Sequence, residues 1–460
     1  MTSAKIETAN NHAPSVSITP GGPVSGSIRP PGSKSLTNRA LICAAMATGE
    51  SRITGALASE DTEVMIESLR RIGVEAQIQD GGRTVLFTQQ NQSSSAGATD
   101  HPTELYIANS GTSIRFLTAT LSALGGHYRL RGVPRMHQRP IGDLIEAIQS
   151  ISEGEINAES ENSCPPVTIQ SNGWQGSSLQ VAGSVSSQYL SGLMMAAPLG
   201  NNAADAVSIS VRGELVSRPY VEMTAEVMRA FHAKVEIPQI TQGNETLVVR
   251  VNTDGYQGTD YDVEPDASAA SYFWAAAAIT GGSVKVLGLT PKAIQGDVGF
   301  CSVLQKMGCE VTSEPDGMTV SGRASRGIDI DMNSISDTVQ TLAVVALFAD
   351  GPTRVRGVAH NRFKETDRIG DLACELRKLG ATVNEHDDGM TIQAIPENLR
   401  GGVLETYHDH RMAMSLSLAG LKIPNVRILH PSCTAKTYPE YFADMENLLG
   451  RAHQWQQIEA

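Results

Sequence analysis

PGSKSLTNRALICAAM (Pro31–Met46) places a lysine in a Gly/Ser turn, and an almost wholly apolar helix with Arg39 near its start follows directly. The pattern returns as NSGTSIRF (Asn109–Phe116), GSVSSQYLSG (Gly183–Gly192), ASAASYFWAAAA (Ala267–Ala278), TVQTLAVVALFA (Thr338–Ala349) and HDHRMAM (His408–Met414). A small or charged residue opens each copy: Ser35, Thr112, Ser187, Asp266, Asp337 and His410, separated by 77, 75, 79, 71 and 73 residues. A fixed period of this kind is the signature of a repeat architecture. Each copy alternates strands with helices, so the fold class is α/β. Helices apolar on all sides belong inside. The second helices, such as Thr62–Ile72, alternate Val64, Ile66 and Leu69 with Glu63, Glu67 and Arg70, and belong on the outside.

Six repeats divide into two halves of three, with the turn-rich NTDGYQG (Asn252–Gly258) between them. The expected domains are 15–33 plus 254–460, a discontinuous domain, and 34–253 inserted within it; residues 1–14 read as a disordered tail. The chain then crosses between domains twice, and a ligand site in an interdomain cleft is expected. Two polar stretches, Gln89–Pro102 and Ser152–Cys164, read as surface loops.

Composition excludes several classes. Net charge is −13, which argues against nucleic acid and anionic membrane surfaces as partners. Six cysteines show no C-x-x-C spacing or zinc-like cluster and read as reduced thiols in a cytoplasmic protein. The N-terminus lacks an apolar signal segment, and Ala267–Ile279 is too short to span a bilayer.

Lys and Arg in this acidic chain gather at helix starts, where free N–H groups and the helix dipole favour anions. PGSKSLTNRA is not a Walker A loop, because its order is Gly32-Ser33-Lys34-Ser35. In FKETDRI (Phe363–Ile369), Lys364 and Arg368 flank Glu365, an arrangement that helical ion pairing explains poorly. HDHRMAM fits anion binding by His410 and Arg411 better than a metal site. CTAKTYPEYF (Cys433–Phe442) adds Lys436.

Together these segments closely resemble the 5-enolpyruvylshikimate-3-phosphate (EPSP) synthase family over residues 15–450. The resemblance implies two inside-out α/β domains, each of three βαβαββ-type units. It implies transfer of the enolpyruvyl group of phosphoenolpyruvate to the 5-hydroxyl of shikimate 3-phosphate, with closure of the two domains on the substrates. By motif, Lys34 is similar to the lysine that touches both substrates. Ser35, Arg39, Ser186, Ser187, Ser217, Tyr220, His360 and Lys364 match shikimate 3-phosphate ligands. Gly111, Arg139, Gln188, Arg368, His410, Arg411 and Lys436 match the phosphoenolpyruvate site. Asp337 matches the general base and Glu365 the general acid. No cofactor and no metal are implied, and a monomer is expected. Two positions depart from the pattern: His360 stands where some members carry Asn, and Phe116 where many carry Pro. Gly111 favours sensitivity to glyphosate.

Three rivals are weaker. The sister enzyme acting on UDP-N-acetylglucosamine uses a loop cysteine, and Gly132–Pro140 has none. RNA 3′-phosphate cyclase shares a related repeat, but the acidic balance argues against RNA. A non-catalytic anion-binding relative would have no use for Asp337 and Glu365.

Overall fold

The computed structural model describes residues 13–88, 101–200, 204–238 and 246–456. It divides into an inserted unit, Pro31–Glu264, and a discontinuous unit, Met1–Pro30 with Pro265–Ala460. The inserted unit carries α1 (Lys34–Ala45), α2 (Glu60–Arg71), α3 (Gly111–Leu124), α4 (Gly142–Gln149), α5 (Ser187–Ala196) and α6 (Arg218–Ala230). The discontinuous unit carries α7 (Ala267–Thr280), α8 (Phe300–Lys306), α9 (Val339–Ala346), α10 (Gly370–Lys378), α11 (His410–Ser417) and α12 (Tyr441–Leu449).

The odd-numbered helices are the apolar ones, and they are buried. All of α7 and α9 lies inside, and so do most residues of α1, α3, α5 and α11. Some of their polar residues bond one another across the interior: Asn38 donates to Thr112 Oγ1 at 2.8 Å, and hydroxyl bonds link Ser271 to Thr341 and Thr341 to Ser415. The even-numbered helices bury one face, as in α2, where Met65, Ile66 and Leu69 turn inward while Glu63 and Glu67 stay in water.

Around these helices the described residues form six four-stranded sheets of one pattern. In each, an edge strand runs parallel to its neighbour, and the third and fourth strands are antiparallel. In the inserted unit Thr103–Tyr106 is parallel to Gly126–Arg131, which is antiparallel to Val167–Trp174, with Ser152–Ala158 at the far edge. Ser152–Ala158 was expected as a loop. It is a strand with only Ile156 buried, and an edge strand exposed on both faces shows no apolar alternation. The stretch Gln89–Pro102 lies almost entirely outside the described residues, as does the expected tail.

In four of the sheets the parallel edge strand leads straight into its own unit's buried helix, as Thr103–Tyr106 leads into α3. Two strands break this rule. Ser25–Ile28 pairs with Ser283–Leu287 in the discontinuous unit, yet the next helix, α1, belongs to the inserted unit. Asp260–Asp262 pairs with Ser51–Thr54 in the inserted unit, yet the next helix, α7, belongs to the discontinuous one. The crossings therefore fall at Pro30/Pro31 and Glu264/Pro265. The inserted unit runs past the Asn252–Gly258 turns because Tyr256–Gln257 and Asp260–Asp262 both complete its sheets.

Trp274 is fully buried in α7, and its indole N–H donates to Met318 O at 3.1 Å. Trp274→Ala should cost about 3–5 kcal/mol by leaving a cavity. A urea midpoint that does not move would show that the indole is not part of the discontinuous unit's core.

Candidate active site

In the inserted unit, three helix starts are capped by neutral hydroxyls: Ser33 accepts from Leu36 N, Ser110 from Ser113 N, and Ser186 from Gln188 N. The caps precede the expected openers Ser35, Thr112 and Ser187, which sit inside the first turn. Lys34 lies 3.4 Å from the buried carboxylate of Asp61. Arg39 is 1% exposed. It donates to Thr224 Oγ1 at 2.7 Å, Ser35 O at 2.8 Å, and Ser191 Oγ and Tyr220 O at 3.3 Å each. Its guanidinium also lies 5.1 Å from the Phe116 ring centroid. A guanidinium has five donors, so one Nη1 hydrogen has no acceptor among the described residues. Burial lowers the Arg39 pKa to about 10. The side chain is still charged at neutral pH, and the neighbours to which it donates are all neutral.

Arg139 donates to Asn109 O at 3.0 Å. Arg115 donates to Gln188 Oε1 at 2.8 Å and to Gly111 O at 3.1 Å. Gly111 leaves room for two guanidinium groups: a Cβ there would sit 2.3 Å from Arg139 Nη2 and 2.8 Å from Arg115 Nη1, so those side-chain ends would have to shift. Ser217 opens α6 in the left-handed conformation, φ 54°, and Tyr220 follows in its first turn.

The discontinuous unit builds a different surface. Two of its three buried helices are capped by carboxylates: Asp266 accepts from Ala269 N and Asp409 from Arg411 N, at 2.8 Å each, while α9 has no side-chain cap. At these two starts the cap accepts one N–H, as the serines do, but it brings a negative charge to the helix end, where an arriving anion would be repelled. Anion affinity must come from side chains instead. Arg368, fully buried, is the hub. It meets Asp409 through Nε at 2.8 Å and Nη2 at 3.2 Å, Glu365 at 2.8 Å and Asp337 at 3.4 Å. Burial opposes its charge, but Asp409, Glu365 and Asp337 outweigh it and raise its pKa above the ordinary value. Arg411 reaches Asp337 at 2.7 Å, Lys364 reaches it at 3.9 Å, and Lys436 reaches Glu365 at 2.8 Å. His410 lies 3.7 Å from Asp409. Four cations thus surround three carboxylates, leaving the cluster net positive in an acidic protein.

Of the expected site residues, Lys34, Ser35, Arg39, Gly111, Arg139, Ser186, Ser187, Gln188, Ser217 and Tyr220 belong to the inserted unit, and Asp337, His360, Lys364, Glu365, Arg368, His410, Arg411 and Lys436 to the discontinuous unit. Sequence reading missed Asp61, Asn109, Arg115 and Thr224 as partners, and weighed Asp409 only as a metal ligand. Arg115 carried a signal, since it lies in NSGTSIRF. Asp61 and Thr224 carried none, because they meet Lys34 and Arg39 only through the fold. No group of three or more His, Cys, Asp or Glu side chains suited to a metal occurs among the described residues.

The family model for EPSP synthase (3-phosphoshikimate 1-carboxyvinyltransferase) matches residues 18–445. The 3-phosphoshikimate 1-carboxyvinyltransferase of Marinomonas sp. (strain MWYL1) is 42% identical over 428 residues, covering 93% of this chain and 98% of its own. That of Hamiltonella defensa is 41% identical over 436 residues, covering 95% and 99%. EPSP synthase from Acinetobacter baumannii superposes with a TM-score of 0.75 at 26% identity, covering 96% of this chain and 100% of its own. An enolpyruvyl transferase from Streptomyces tendae shares the fold at 18% identity, with a TM-score of 0.73 and coverage of 97% and 99%. The architecture is thus that of the enolpyruvyl transferases. Within that class, the chain belongs to the EPSP synthase family.

His360 is held neutral first by burial and then by the Lys364 cation, against Asp337, so its pKa falls from 6.5 to about 3. As the pH falls, the unfolded chain takes up this proton near 6.5, and the folded chain does so only near 3. Stability is therefore lost as pH drops through that window. His360→Asn should flatten the fall in melting temperature between neutral pH and about pH 4.5. Equal slopes in both proteins would show that His360 titrates normally.

Proposed function

We propose that this chain transfers the enolpyruvyl group of phosphoenolpyruvate to the 5-hydroxyl of shikimate 3-phosphate and releases phosphate. The observation that carries this reading is Asp337 and Glu365 held in one cationic cluster, in a chain of the EPSP synthase family. The reaction needs a proton acceptor and a proton donor. Asp337 takes the proton of the 5-hydroxyl as its oxygen bonds to C2 of phosphoenolpyruvate. Glu365, between Arg368 and Lys436, gives a proton to the methylene carbon, and a tetrahedral intermediate forms. The methyl group then returns a proton to Glu365, and phosphate leaves with the proton that Asp337 had taken, restoring the double bond.

Lys34, Arg139 and Lys436 stabilise the phosphate as its charge grows. Gly111, Gln188, Arg368, His410 and Arg411 complete the phosphoenolpyruvate site. Ser35, Arg39, Ser186, Ser187, Ser217, Tyr220, His360 and Lys364 hold shikimate 3-phosphate. Arg39 supports this assignment physically. It is a buried cation with neutral neighbours and one hydrogen to spare, so an arriving carboxylate supplies the missing charge. The protein acts as a monomer in the cytoplasm, where the cysteines, free among the described residues, stay reduced.

The purified protein should release phosphate from phosphoenolpyruvate only with shikimate 3-phosphate, and not with UDP-N-acetylglucosamine as acceptor. No release with either acceptor would overturn the reading. Glu365→Gln should keep both substrates bound in calorimetry while losing most turnover, about 100-fold or more. Gly111→Ala should displace Arg139 and raise the KM for phosphoenolpyruvate about tenfold, a change of about 1.4 kcal/mol. An unchanged KM would mean that Arg139 does not meet this substrate.

A further inference from the structure

The turn that delivers Asp409 and Arg411 runs through two consecutive left-handed residues, Tyr407 (φ 52°) and His408 (φ 55°). Neither is glycine, so both are strained, and such strain persists only where the surroundings impose it. Two carboxylates impose it: Glu405 Oε1 accepts from Thr406 N at 2.9 Å and Tyr407 N at 3.2 Å within the turn, and Glu375 of α10, whose side chain is fully buried, holds it from outside. One of its oxygens accepts from the Tyr407 hydroxyl at 2.8 Å, and the other from the Glu405 backbone N–H at 3.0 Å. Lys378, one helical turn on, balances the charge from 2.6 Å and 2.8 Å. Burial and the Glu375 carboxylate push the Tyr407 hydroxyl above its ordinary pKa, so it keeps its proton and donates. Arg368, just ahead of α10, grips the far end of the same turn through Asp409 at 2.8 Å. One segment of chain therefore holds the turn at both ends.

We propose that Glu375 is a positioning residue: through Tyr407 it fixes the 405–409 turn and thereby the aim of Arg411. Glu375 has no exposed surface and meets no substrate, so it acts only through that turn. The inference rests on the reading above, in which Arg411 holds phosphoenolpyruvate. A purely structural Glu375, tying α10 to the chain that follows Gly402–Leu404, would lower stability and leave the kinetics of the folded protein alone.

The two roles separate in Tyr407→Phe, which removes one oxygen and keeps the ring. The unaltered protein is assayed first, so that absence of turnover there counts against the proposed reaction and not against the positioning role. Given turnover, Tyr407→Phe should raise the KM for phosphoenolpyruvate about tenfold, the scale of one hydrogen bond to a charged group, and leave that for shikimate 3-phosphate within about twofold. Glu375→Gln should move the same constant in the same direction and further. Calorimetry with phosphoenolpyruvate should show the same weakening without relying on turnover. A lower melting temperature with both KM values unchanged would overturn the proposal, and so would an equal rise in both.

Discussion

A guanidinium buried at 2% exposure is tolerable only where its charge and its donors are met, and Arg368 dictates much of the discontinuous unit for that reason. Its partners come from three places: Asp337 just before α9, Glu365 three residues upstream, and Asp409 at the cap of α11. Each is fixed because the arginine needs it, and each fixes the arginine in turn. Removing one partner would leave a buried charge uncompensated, at about 3–5 kcal/mol. Lysine could not replace the arginine, because one point charge cannot meet Asp409 through both Nε and Nη2.

Arg39 solves the same problem differently, and the contrast separates the two units. Its partners are hydroxyls and carbonyls, so its charge is buried without a counter-charge, and burial lowers its pKa where that of Arg368 is raised. The side-chain caps of the buried helices divide in the same way: serines at α1, α3 and α5, aspartates at α7 and α11. The inserted unit thus pairs neutral helix caps with an arginine that has no counter-charge. The discontinuous unit instead interleaves cations with carboxylates.

The repeat was legible because it is written in composition: an all-apolar helix such as ASAASYFWAAAA has no place but the interior. The charged cluster was legible where its residues share a segment, as Lys364, Glu365 and Arg368 do. It was illegible where partners meet only through the fold. Thr224 and Ser191 lie 185 and 152 residues from Arg39, and no periodicity connects them. The strand at Ser152–Ala158 was hidden because a period-two pattern needs one buried face, and this edge strand buries a single side chain.

The exchanged strands carry the longest chain of consequence. Each repeat calls for a strand leading into a buried helix, and at two places those elements belong to different units. The crossings must then fall immediately before a helix cap, and they do, ahead of Ser33 and Asp266. Ser33 N donates to Glu264 O at 2.9 Å, so one crossing is bonded to the other at the cap of α1. Gly32 is forced to be glycine there, since a Cβ would lie 1.8 Å from Gly55 O. Lys34 follows two residues later. The glycine and serine of PGSKS thus serve the crossing before they serve any ligand, and the position of the lysine is set by where the chain changes units.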